Sequence, residues 1–215
     1  MAYTSVISGL SRSKLPDLAR KADSIVERMR GHGLEPDMVV YTSVLNCYAK
    51  ATSSVERQMA SARVLELLQE MEDAYVQHNN YLLKPSPITY ANAIKAIGYS
   101  LDPNAPKLAE GVLQRMYQLT ESGTIHVPPT VANYNAVITA LSTGGLKKQK
   151  IGNARRAEAL LVDMIRRSRH EGEFMVEPTI RTWGGVLRAW AESGLPESGE
   201  QAQRVLDQFE KWYES

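Results

Sequence analysis

Apolar residues recur along this chain with the spacing of one helix face. Ala157, Leu160, Leu161 and Met164 follow the i, i+3, i+4, i+7 pattern, and the segment that begins at Tyr41 does the same. This period is typical of amphipathic α-helices, whereas a half-buried strand needs strict alternation of apolar and polar residues. Such alternation is missing, so the pattern predicts an all-α protein.

The helical pattern repeats five times. Each copy opens with an aromatic residue, called the anchor here, followed by small and aliphatic residues. The anchors are Tyr3, Tyr41, Tyr90, Tyr134 and Trp183. A proline stands five residues before each of the last four. These prolines are Pro36, Pro85, Pro129 and Pro178. After each anchor segment comes a second apolar block ending in Met or Phe.

The pattern of each unit therefore predicts a first and a second helix joined by a turn. One such hairpin cannot bury its apolar face alone, but stacked neighbours can, which indicates an α-solenoid. We expect a right-handed α-α superhelix of about ten helices, with the first helices on the concave face. The expected units are residues 1–37, 38–86, 87–130, 131–179 and 180–215 of one array.

Composition narrows the function classes. The 215 residues contain 25 basic and 24 acidic side chains, without the basic excess that nucleic-acid binders usually show. The single cysteine, Cys47, excludes an intramolecular disulfide and a multi-cysteine zinc site. No apolar run reaches the length of about 18 residues that a membrane span needs. The first ten residues contain no recognisable targeting signal, and we expect such a signal and further repeats to lie outside this chain, as in a fragment of a longer protein.

The first unit resembles the pentatricopeptide repeat. The matching segments are residues 3–10, residues 22–29 and the closing Gly33-Leu34-Glu35-Pro36-Asp37. The tetratricopeptide repeat is the nearest rival, but its Trp-x-x-Leu-Gly opening is missing. The units are longer than those of the pentatricopeptide family, and we expect the extra residues to extend helix ends and loops.

The resemblance implies a non-catalytic, single-stranded RNA-binding module of a mitochondrion or chloroplast, which reads about one base per repeat in RNA processing. The reading residues follow the anchor and the closing proline. Carried over, they are Thr4, Asp37, Thr42, Ser86, Ala91, Thr130, Asn135, Thr179 and Gly184. An aliphatic residue two before the anchor stacks between bases. These positions hold Val39, Ile88 and Ala132, whereas Arg181 departs from the pattern.

The resemblance also places phosphate-binding cations near the end of the first helix. Arg12 and Lys50 match, whereas the later units have Tyr99, Thr143 and Glu192 there. Because phosphate neutralisation supplies most nucleic-acid affinity, we expect binding to fade toward the C-terminus. The alternative is a protein-interaction scaffold or a subunit of a larger ribonucleoprotein.

Other polar residues carry weaker signals. Basic residues of unit four fall mainly on the turn and second helix, where they form either a convex basic patch or an ordinary solvated face. These residues are Lys147, Lys148, Lys150, Arg155, Arg156, Arg166, Arg167 and Arg169. The histidines lie after second helices and indicate surface positions, and Cys47 indicates a buried side chain. Glu70, Glu72 and Asp73 cluster at an expected helix end without the recurring aspartates of a metal-dependent nuclease. We expect no metal site, cofactor, small-molecule substrate or membrane contact.

Overall fold

The computed structural model describes residues 2–13, 15–194, 196 and 198–214. In this part of the chain there are ten α-helices and three short 3-10 segments, and no strand. The predicted ends of the array at Met1 and Ser215 lie outside the described residues. The helices are α1 (Ala2–Arg12), α2 (Leu18–Gly31), α3 (Met38–Ala49), α4 (Ser54–Gln77), α5 (Pro87–Gly98), α6 (Ala105–Glu121), α7 (Val131–Thr143), α8 (Lys150–His170), α9 (Ile180–Ala191) and α10 (Ser198–Tyr213).

The helices form two layers. The odd-numbered helices pack in sequence against one another, α1 on α3, α3 on α5, α5 on α7 and α7 on α9. The helices α2, α4, α6 and α8 each pack against the odd-numbered helices before and after them, and α10 packs on α9. We call these the first-helix layer and the second-helix layer. This arrangement is a helical repeat solenoid, which confirms the predicted all-α fold.

The predicted apolar faces form the core between the layers. Tyr90 and Tyr134 are fully buried, and Tyr41 and Trp183 are nearly so. Tyr3 is the exception, since it is half-buried and its hydroxyl lies 3.0 Å from His32 Nδ1. The methionines that end the second-helix blocks are buried as well, so each hairpin shares one continuous core with its neighbours.

The prolines before the anchors lie just outside the helices that follow them. Pro36, Pro85, Pro129 and Pro178 are all buried, and each precedes the N-cap residue of a first helix. The structure places each proline one residue before the cap. The residue after the proline is therefore free to cap the helix with its side chain.

The extra residues lengthen the second helices of alternate hairpins. α4 has 24 residues and α8 has 21, against 14 in α2, 17 in α6 and 16 in α10. This agrees with the prediction that the insertions extend helix ends. It also shows that Glu70, Glu72 and Asp73 do not lie at a helix end, because α4 continues to Gln77.

A longer period relates pairs of hairpins. α9 (Ile180–Ala191) begins and ends 93 residues after α5 (Pro87–Gly98), and the 3-10 segment Phe174–Val176 follows Tyr81–Leu83 by the same offset. Side-chain hydrogen bonds recur with the same offset of 93 residues. The hydroxyl of Tyr41 donates to Glu70 at 3.0 Å, and the hydroxyl of the equivalent Tyr134 donates to Asp163 at 2.6 Å. The hairpins α3–α6 and α7–α10 are thus two copies of one structural block.

Candidate nucleic-acid interface

One face of each first helix is left uncovered by the second-helix layer. In α3, α5, α7 and α9, the residues two before, one and two after, and five after the anchor lie on this face, because spacings of three, four and seven residues share one side of a helix. Three surface cavities lie along it. We call this row of cavities the groove.

The cavity between α3 and α5 brings together three residues that were predicted for the second unit and one, Ile88, that was predicted for the third. It measures about 220 Å³, and its lining includes Val39, Ile88, Thr42 and Ser86. The two aliphatic side chains are 46% and 68% exposed, so both present apolar surface to solvent. Exposed apolar surface beside two hydroxyl groups suits a flat, polar-edged ligand.

The hydroxyl groups in this cavity form a local network. Thr42 Oγ1 lies 3.1 Å from Thr89 Oγ1, and Ser86 Oγ lies 3.0 Å from the same atom. A hydroxyl group has one hydrogen to donate and two acceptor lone pairs. Thr42 and Ser86 therefore keep hydrogen-bonding capacity for a ligand while Thr89 fixes their positions.

The cavity between α5, α7 and α9 measures about 200 Å³, and its lining includes Ala132, Asn135, Lys95 and Arg181. Asn135 Oδ1 is buried and has no hydrogen-bond partner among the described residues. A buried acceptor without a partner is costly. A donor from a ligand in this cavity would remove that cost, so the predicted reading role of Asn135 has a physical basis here.

A third cavity continues the groove between α7 and α9. It measures about 410 Å³, and Arg181, Gly184, Arg188 and Thr139 lie in its lining. Sequence reasoning did not select Lys95, Thr139 or Arg188. All three lie five residues after an anchor. Asn46 has the same position in α3 and lines the cavity between α3 and α5. The later units have no cation at the expected position near the end of the first helix, but Lys95, Arg181 and Arg188 line these cavities from other positions.

The reading residues that follow the prolines are all N-cap residues. Asp37 Oδ1 accepts a hydrogen bond from the Val40 amide at 2.9 Å, and Thr130 Oγ1 donates to Asn133 Oδ1 at 2.8 Å. Thr179 makes the equivalent contact with Thr182. The Ser/Thr-x-x-Thr/Asn spacing resembles a capping box and could have revealed this role from the sequence.

The remaining predicted reading residues differ in their exposure and in whether their side chains can form hydrogen bonds. Thr4 is half-buried in α1, whereas Ala91 is only 4% exposed. Gly184 is exposed on α9 but has no side chain. Neither Ala91 nor Gly184 can form a side-chain hydrogen bond, so α5 and α9 have no reading group directly after the anchor.

The two predicted phosphate ligands differ in whether they have a hydrogen-bond partner among the described residues. Arg12 is exposed at the end of α1. Lys50 Nζ donates a hydrogen bond to the Ser11 carbonyl at 2.7 Å, where it neutralises the negative end of α1. Lys50 thus ties α3 to α1, a structural role that the sequence did not indicate.

Most arginines of the second-helix layer are neutralised by carboxylates. Arg156 pairs with Glu110, and Arg167 pairs with Asp163 at 2.9 Å. Burial would raise the pKa of Asp163, but hydrogen bonds from Tyr134, Arg166 and Arg167 outweigh it and hold that pKa below its ordinary value. These pairs favour a solvated, ion-paired face over a convex binding patch.

The histidines and the cysteine have the predicted exposure, although His170 is the last residue of α8 and does not follow that helix. His32, His78, His126 and His170 are exposed. Cys47 is fully buried, and this burial raises the pKa of its thiol to about 12. The described residues contain no group of three His, Cys, Asp or Glu side chains that could hold a metal ion. None of the described helices combines the length and the apolar character of a membrane span.

Two layers of helical hairpins with a groove along the first helices define a helical-repeat binding protein. The family model for the PPR (pentatricopeptide) repeat matches residues 1–34, which cover α1, α2 and the turn after them. The match supports the resemblance derived from the first unit and implies RNA binding of the kind general to such repeats. A search of curated proteins found no match to the chain.

Proposed function

We propose that this chain is a non-catalytic module that binds single-stranded RNA along the groove of the first-helix layer. Bases enter the cavities between neighbouring first helices, where aliphatic side chains contact their faces and polar side chains contact their edges. Single-stranded bases expose both surfaces, so a row of equivalent sites can bind them one after another.

The cavity between α3 and α5 is the observation that carries this proposal. Val39 and Ile88 come from adjacent first helices and expose apolar surface in the cavity that Thr42 and Ser86 also line. A base between the two aliphatic side chains would cover that surface. Its edge would meet the hydroxyl groups that Thr89 positions.

The fit of the remaining cavities supports the same assignment. Asn135 has an unpaired buried oxygen beside the second cavity, and a base amino group is a suitable donor for it. Most arginines of the second-helix layer are ion-paired, whereas the cations in the groove are available for phosphates. Residence in a mitochondrion or chloroplast stays a prediction that rests on the resemblance alone. Assembly with ribonucleoprotein subunits stays a prediction that rests on the near-neutral charge, the long loops and the irregular reading positions.

Binding of a fluorescent single-stranded RNA pool, measured by anisotropy at low salt, tests the proposal. Replacement of both Val39 and Ile88 by Ala should weaken binding about 5- to 20-fold, since loss of a stacking contact costs about 1 kcal/mol or more. The matched control replaces Val55 and Val162, which are exposed to similar extents in the second-helix layer. Absence of binding by the unmodified chain, or equal loss in the control, would contradict the proposed function.

A further inference from the structure

We propose that the part of the groove between α5 and α9 binds the phosphate groups of the RNA strand through Lys95, Arg181 and Arg188. This inference rests on the proposed function and adds a second type of contact to it. The ligand is a phosphate oxyanion, carried either by an internal diester or by a terminal monoester of the strand.

The three cations converge on two adjoining cavities. Lys95 and Arg181 line the cavity between α5, α7 and α9. Arg181 also lines the next cavity, together with Arg188. Thr139 lies in both linings and adds a hydroxyl group. A phosphate in this region could therefore contact more than one positive side chain.

The positions of Lys95 and Arg188 are equivalent in the two structural blocks. Each lies five residues after an anchor, Tyr90 or Trp183, and the two are 93 residues apart. In α3 and α7 the same position holds Asn46 and Thr139, which are neutral. The positive charge thus recurs at every second first helix of the two blocks.

These cations have no counter-charge in the groove. No ion pair of Lys95, Arg181 or Arg188 occurs in the part of the chain that the structure describes. The linings of both cavities also contain no Asp or Glu. By contrast, Arg156 and Arg167 on α8 are paired with carboxylates. Unpaired cations in a concave surface attract a polyanion.

The helices that supply Lys95 and Arg188 are the ones that cannot read bases after the anchor. α5 has Ala91 and α9 has Gly184 at that position, whereas α3 has Thr42 and α7 has Asn135. Phosphate contacts position a strand without selecting its sequence. At the positions one and five after the anchor, the blocks therefore alternate a polar base-reading group with a cation for the backbone.

The salt dependence of RNA binding tests this inference. For single strands, each phosphate contact contributes about 0.7 to the slope of log affinity against log salt. The variant Lys95→Gln/Arg181→Gln/Arg188→Gln should reduce that slope by about 2 and weaken binding equally for oligonucleotides of different sequence. The control variant Arg20→Gln/Lys107→Gln/Arg155→Gln removes the same charge from exposed positions of the second-helix layer and should keep the slope of the unmodified chain.

Two further measurements test whether charge is the cause and which phosphate is bound. Arg181→Lys/Arg188→Lys keeps the charge and should keep the slope. Oligonucleotides of one sequence with a 5′-hydroxyl or a 5′-phosphate separate the two phosphate sources: an affinity gain from the 5′-phosphate that the triple variant loses indicates the monoester, and equal affinity indicates internal diesters.

Each failure has its own signature. If the unmodified chain binds RNA and the triple variant has the slope of the control, the phosphate site is wrong while the proposed function stands. If the unmodified chain binds no RNA, the proposed function fails and the phosphate site fails with it. Circular dichroism of all variants verifies that the helices remain folded.

Discussion

Glu56 Oε1 on α4 accepts a hydrogen bond at 2.8 Å from the backbone amide of Ala19 on α2, which belongs to the neighbouring hairpin of the solenoid. It also accepts from the Arg20 amide at 3.1 Å. Asp17, which precedes α2, has a left-handed φ of 54° and makes no side-chain cap. Glu56, only 1% exposed on α4, therefore supplies the N-terminal cap of α2 from the next hairpin.

Removal of this cap should destabilise the first two hairpins. Glu56→Ala leaves the buried Ala19 amide and the part-buried Arg20 amide without side-chain partners, and we expect a loss of about 1 to 3 kcal/mol in the free energy of unfolding. Glu56→Gln keeps one acceptor oxygen and should cost less. Urea denaturation followed by circular dichroism measures both. Glu66→Ala is the control, because that side chain is 62% exposed; an equal effect there would contradict the capping role.

Gly98 allows α5 and α7 to approach closely. A Cβ at this position would lie 2.8 Å from Ala140 Cβ, so Gly98→Ala should force the helices apart and cost about 1 to 3 kcal/mol. Gly152 in α8 has open space around it. Gly152→Ala should stabilise the protein by about 0.5 to 1 kcal/mol through helix propensity. Thermal unfolding distinguishes the opposite signs, and a neutral Gly98→Ala variant would contradict the close contact.

Asp163 should make stability depend on acidity. Its pKa is lower in the folded chain than its ordinary value of 3.8, so the ionised form favours folding above the ordinary pKa. This contribution is lost as the pH falls through the lowered pKa. The stability difference between the unmodified chain and Asp163→Asn should therefore shrink as the pH decreases from 7 to 2.5. Asp207→Asn, at an exposed position, should show no comparable change in urea melts over this range.

Asn135 separates recognition from stability. Because its Oδ1 has no partner in the described structure, Asn135→Ala removes no hydrogen bond of that atom and relieves the cost of an unpaired acceptor, so the melting temperature should not fall. The same variant should lose base preference at one nucleotide position, by about 1 to 2 kcal/mol between preferred and other bases. Selection of RNA from a randomised pool measures this. Gln114→Ala on the exposed side of α6 is the control, and an unchanged selection profile in Asn135→Ala would remove Asn135 from the site.

The helices and their core could be predicted because both depend on local periodicity. The anchors Tyr90 and Tyr134 are buried where the 3.6-residue pattern places them. The capping role of Asp37 and Thr130 was missed because residues suited to contact a base edge are also suited to cap a helix. Only the spacing to the third helical residue distinguishes the two uses.

The distribution of charge was harder to derive. Arg156 and Arg188 are both cations of predicted helices, but only one faces a carboxylate. Its partner Glu110 lies 46 residues earlier in the chain, on a different helix. Pairing at such distances depends on how the hairpins stack, which neither residue type nor local spacing encodes.

The 93-residue offset has a consequence for how this array could be extended. Residues 38–130 form one period, and its last hairpin, α5–α6, already accepts α7 as its next neighbour. A tandem copy of this segment inserted after residue 130 would therefore meet native-like surfaces at both junctions. Insertion of a single hairpin would break the alternation of the two hairpin types, so that two neighbouring first helices would come from equivalent positions of the block. Two hairpins, not one, are thus the modular unit with which such a protein should be lengthened.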